Sequence, residues 1–177
     1  MSELTESASW QESVDAGNQS YGKGRIAQAE IHFKRALELA EQFKEGDLRL
    51  PATMNNLAAI YQVQGKFAFA ESLYKRSLAL YERAHGRQHQ DVALNLHNLA
   101  VLYSAQRKFA EAEPLFREAL AIRESVLGAD HPDLVPSLRN LAELLRRTAR
   151  DEAAAVLEGR VTQITVKAAS SEDERPS

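Results

Sequence analysis

The side chains able to do chemistry in this sequence are few and repetitive. Asn56, Asn98 and Asn140 stand 42 residues apart, each opening the triplet Asn-Leu-Ala. An amide offers a donor and an acceptor together, so a regular row of amides can hold a peptide backbone without reading its side chains. There are five histidines and no cysteine, which excludes disulfides and thiolate metal sites. His85 and His89 stand four apart, but Gly86 would break helical pairing and no carboxylate or cysteine cluster in the sequence completes a site. No metal is therefore expected. His89 and His131 fall at equivalent loop positions, which points to a structural role there. No serine, lysine or histidine sits in a nucleophile motif, and no glycine loop is shaped to cradle phosphate. Neither catalysis nor a cofactor is expected.

These residues must be positioned by a repeat. The stretch from Asn98 to Gly128 reads as two amphipathic helices joined by a short turn, and similar text lies on either side. Self-similarity at this period marks a helical array. The expected hairpins span 10–44, 50–86, 92–128 and 134–166, with 1–8 flexible and 167–177 a disordered polar tail. Gly22 and Gly24 punctuate the first turn, Pro51 suits a first helical turn, and Asp91 is expected to cap the helix that follows it. Small residues (Ala58, Ala100 and Ala142; Ala29, Ala70 and Ala112) let paired helices approach, while Phe33, Tyr74, Phe116, Tyr61 and Tyr103 fill the wedges between them. The fourth unit loses its aromatic after Arg150 and reads as carrying a one-residue deletion, as a capping unit would.

Composition sets outer limits. A net charge of −3 over 177 residues lacks the basic excess of a nucleic-acid binder. No apolar run approaches the roughly 18 residues that a membrane span requires. The start has no basic or apolar leader region, so the default expectation is a cytoplasmic protein.

The order of small and aromatic residues resembles the tetratricopeptide repeat. Its core reads here as Leu57-Ala58-x2-Tyr61…Ala70-x3-Tyr74 and Leu99-Ala100-x2-Tyr103…Ala112-x3-Phe116. The 42-residue period and the Gly-x-x-His-Pro/Gln-Asp loop resemble the repeats of kinesin light chain and its many bacterial relatives. The resemblance implies an all-α, right-handed superhelical array of about four hairpins, the last degenerate and capping. It further implies a concave groove for an extended peptide of a partner protein. The implied groove positions include Asn18, Asn55, Asn56, Gln62, His97, Asn98, Ser104, Arg139, Asn140, Glu143 and Arg146. In the kinesin light chain family, asparagines at the ladder position contact cargo peptide. Arg139, Arg146 and Arg147, near His97, are expected to make the fourth-repeat end basic and to favour an acidic or carboxylate-bearing peptide. Val14 stands where the chaperone-binding members of the family carry a clamp lysine, which counts against that role. The alternative is a protein that self-associates through the ends of its array, with the groove idle.

Overall fold

One backbone turn, used four times, sets where the helices end. The structure, a computed structural model, describes residues 3–173. Eight α-helices and no strand are present among them. The helices are α1 (Glu3–Gly22), α2 (Ile26–Ala40), α3 (Arg49–Val63), α4 (Phe67–His85), α5 (Gln90–Ala105), α6 (Phe109–Leu127), α7 (Val135–Arg147) and α8 (Asp151–Asp173). A 3-10 turn, Pro132–Leu134, leads into α7. The chain divides into two compact units, one running to Arg87 with α1–α4 and one from Gln88 with α5–α8. Each unit holds two hairpins.

Within every hairpin the turn places one residue at positive φ: Gly24 at 70°, Gly65 at 72°, Arg107 at 62° and Ala149 at 56°. The next residue donates its N–H back over five positions, as Lys66 does to Tyr61 (2.8 Å) and Arg150 does to Leu145 (2.9 Å). This is how a helix C-terminus satisfies its leftover carbonyls. Glycine takes that conformation without strain, whereas Arg107 and Ala149 meet the clash of Cβ with the backbone. Ala149→Gly is therefore expected to stabilise the protein by about 0.5–1 kcal/mol. A melting midpoint that falls for this variant would count against the strain at Ala149.

Packing follows the alternation of small and large residues. Ala29, Ala70, Ala112 and Ala154 are all fully buried on the second helices of the hairpins, and Ala58, Ala100 and Ala142 are buried on the first helices. In the first hairpin the matching small residue is Gly17. A Cβ there would lie 2.8 Å from the ring of Phe33, so the close approach of α1 to α2 demands glycine. The core of the second unit joins Phe116, Leu134, Leu138, Leu141, Leu145, Val161 and Ile164.

The structure corrects three expectations. The first concerns the chain ends, where residues 3–8 are helical because α1 is tied to α3. Trp10 Nε1 donates to Thr53 Oγ1 at 2.9 Å, and Arg49 Nη1 donates to Ser7 Oγ at 2.8 Å. Residues 167–173 continue α8, with Lys167 Nζ 2.7 Å from Asp130 Oδ2. Residues 1–2 and 174–177, the rest of the two expected irregular ends, lie outside the described residues.

Second, the fourth repeat carries no deletion. Ala149, Ala154, Val161 and Ile164 follow Arg107, Ala112, Ala119 and Ile122 at a constant 42 residues, and the last three of each set are buried. Glu158 replaces the wedge residue Phe116 in this register.

Third, the cap of α5 is His89 rather than Asp91. Its Nδ1 accepts from the Asp91 N–H at 3.3 Å, and His131 does the same for Asp133 at 3.2 Å. Both histidines thus have a structural role in their loops. A carboxylate does stand beside each ring, for Asp91 Oδ2 lies 3.4 Å from His89 Nδ1.

Candidate functional site: a groove between α5 and α7

In the second unit, α5 and α7 run side by side and leave a groove with a hollow near each end. The residues of α5 that face it, Asp91, Leu94, Val101 and Ala105, recur at helical spacing, so a single stripe of α5 forms one wall. The first hollow, about 410 Å³, is lined by Gln90, Asp91, Leu94, Arg123, Leu127, Asp133 and Pro136. The second, about 210 Å³, is lined by Val101, Ser104, Ala105, Phe116, Asn140, Glu143, Leu144 and Arg147. Polar groups form its lips, and Phe116 and Leu144, both core residues, form its floor.

His97 and Asn140 join the two helices across the groove. Asn140 Nδ2 lies 3.0 Å from His97 Nε2. Because an amide N–H donates, the imidazole must accept there, which puts its own proton on Nδ1. Nδ1 is buried with no hydrogen-bond partner. The ring also meets Phe116 edge-on, with centroids 5.3 Å apart. Burial, and then the nearby charge of Arg123, lower the His97 pKa to about 4, so it is neutral at physiological pH. Arg123 is itself held below its ordinary value by burial, an effect that Asp133 partly offsets. Its Nη1 donates to Ser137 Oγ at 3.0 Å.

The residues expected at a peptide groove are therefore placed unevenly. Ser104, Asn140, Glu143 and Arg147 line one hollow together, and His97 bridges to Asn140. Asn98 is half-buried on α5, and Arg139 is exposed on α7. In the first unit, Asn55 and Asn56 are half-buried on α3 and Asn18 is exposed on α1. Gln62 is turned to its own hairpin partner, with Oε1 accepting from Tyr74 Oη at 3.3 Å.

The expected basic end is largely neutralised. Arg146 pairs with Glu158 through two bonds of 2.8 and 2.6 Å, and Asp151 lies 3.5 Å away. Arg147 pairs with Glu143 at 2.6 Å, one turn back on α7. Arg139 is the cation of this trio with no ion pair among the described residues.

Arg123 was not singled out from the sequence. The available signal is a substitution within the period, for Arg123 stands 42 residues after Tyr81, which is buried.

Comparison with known proteins agrees with this architecture. The family model described as Tetratricopeptide repeat matches residues 49–125 and 97–164, together more than half of the chain. No curated protein sequence matches. Among solved structures, BtubC (BKLC) from P. vanneervenii is similar with 27% identity and a TM-score of 0.79, over 91% of this chain and 63% of that one. A Podosopora anserina putative kinesin light chain with nearly identical TPR-like repeats is similar in fold at 22% identity and a TM-score of 0.78, over 89% of this chain and 75% of that one. The apo form of RapI shares the fold at 15% identity with a TM-score of 0.82, over 96% of this chain and 59% of that one. The chain thus spans less than two thirds of the length of BtubC and of RapI. With the 42-residue period, the small-and-aromatic core and the family match in register, the chain belongs to the tetratricopeptide repeat family, with repeats of the kinesin-light-chain-like type.

Proposed function

We propose that the chain is a non-enzymatic interaction scaffold that takes an extended segment of a partner protein along the groove of α5 and α7. The observation that carries this reading is the pairing of an apolar floor, Phe116 and Leu144, with polar lips, Ser104, Asn140 and Glu143. An extended peptide needs amide-matching groups along its backbone and pockets for alternate side chains. Asn56 and Asn98 continue the series of Asn140 at the same position of the repeat. A carboxylate on the partner would be met by Arg139, and by Arg123 in the first hollow, rather than by Arg146. No helix among the described residues is long and apolar enough to cross a membrane.

The test fills the hollow without touching the core. Ala105 is exposed at the lip, so Ala105→Trp leaves the interior intact. Peptides selected against the wild-type protein from a display library of extended sequences are expected to bind this variant roughly tenfold or more weakly. Equal affinity for the two proteins would remove the hollow from the reading.

A further inference from the structure

A second surface, on the first unit, fits a partner of a different kind. Between α2 and α4 lies a cleft of about 370 Å³ whose apolar lining is Leu37, Leu57, Tyr61, Phe69 and Leu73. Phe69 is 65% exposed, and its ring is tilted against Tyr61 at a centroid distance of 5.7 Å. Nothing in the repeat requires an aromatic there. The matching residue is Gln28 in the first hairpin and Glu111 in the third, both exposed. Ile31, on the neighbouring α2, is also 65% exposed. One face therefore offers both an apolar hollow and protruding apolar side chains. Large apolar groups grouped at a concave surface mark an interaction site.

The charges on the rim indicate what covers it. Lys34 is held by Glu30 at 2.6 Å and Glu38 by Arg35 at 3.0 Å, so these four are matched internally. Glu41 and Arg76 line the same cleft and have no ion pair among the described residues. A face that leaves one charge of each sign open is self-complementary. In a two-fold contact, residue i of one copy meets residue j of the other and j meets i.

We propose that this cleft docks onto the same cleft of a second copy of the chain. Phe69 of each copy enters the hollow of the other, and Glu41 of each meets Arg76 of the other. The proposal is independent of the groove between α5 and α7. Lys34 to Glu41 and Phe69 to Arg76 each span about 10 Å of helix. Two such stretches side by side present on the order of 100–200 Å², well below the roughly 800 Å² per partner of a stable interface, so the dimer is reversible and concentration-dependent.

Sedimentation equilibrium of the full chain across the micromolar range tests this. The wild type is expected to shift from monomer to dimer, and Phe69→Gln to weaken the shift roughly tenfold or more. That variant keeps its fold because Gln28 already occupies the equivalent site. Glu41→Arg and Arg76→Glu should each weaken self-association alone. Mixed together they should associate as well as the wild type, since both cross-contacts then join opposite charges. A wild type that stays monomeric overturns the proposal, as does a dimer indifferent to Phe69→Gln. A mixture no better than its components also overturns it. If the wild type is monomeric and Phe69→Gln instead loses a heterologous protein, the cleft has a different occupant and the second copy is ruled out.

Discussion

Phe116→Ala is expected to cost about 3–5 kcal/mol of stability, read from chemical denaturation. The ring is buried in the core that joins α5–α8 and fills the wedge the repeat reserves for an aromatic. Its removal deletes the edge contact with His97 and takes away the floor of the hollow beside Ser104 and Asn140. With total stabilities of about 5–15 kcal/mol, a loss of this size is a large share of what holds a domain together. The equivalent position in the fourth repeat is Glu158, which forms an ion pair instead of filling a wedge. Glu158→Ala is therefore expected to cost far less. Equal losses for the two variants would contradict the assignment of Phe116 to the core.

The second large effect is a dependence on pH carried by His97. Its pKa in the folded state, about 4, lies below the ordinary 6.5, so the unfolded chain binds the proton more readily. Stability from this group is fully present above about pH 6.5. It is lost progressively as pH falls from there to about 4 and changes no further below that. The full shift amounts to about 2–3 kcal/mol, allowing for the open edge of the groove. Protonation also places a second donor at Nε2, facing the Asn140 amide that now donates to it. His97→Gln keeps an acceptor for Asn140 and removes the titration. Denaturation midpoints from pH 7 to pH 4 should fall more steeply for the wild type than for this variant. Matching slopes would show that His97 is not the group responsible.

The architecture was legible because it is written in period. Alanines 42 residues apart on paired helices report the same packing contact several times over, so Ala112, Ala100 and Phe116 could be assigned together. Gly17 was harder to see, since a glycine inside a helix gives no sign of its purpose until the ring of Phe33 is placed 2.8 Å away. By residue type Asp91 is the more visible cap than His89, because carboxylates are the commoner caps. The imidazole does the same work from two residues earlier.

The candidate site was legible in part. Asn140 stood out by its spacing, yet its partner His97 lies 43 residues away on another helix. Arg146 looked available because the one carboxylate on α7, Glu143, is shared with Arg147 and pairs with it. Its partner, Glu158, comes from α8 and is visible only once the hairpin closes. The cleft around Phe69 was missed because a period-based reading looks for what repeats. Phe69 matters there as a departure from the repeat.

The central claim is that the asparagines repeated at the 42-residue period, Asn140 in the groove of α5 and α7 among them, hold a partner. It is tested most directly by pull-down from the source cell's lysate, comparing wild type with an Asn56→Ala, Asn98→Ala, Asn140→Ala variant. Circular dichroism would first establish that the variant is still helical. The account predicts that one or a few proteins are captured by the wild type and lost specifically from the variant. Retention of the same proteins at full strength by both forms would contradict it and leave self-association as the function of the array.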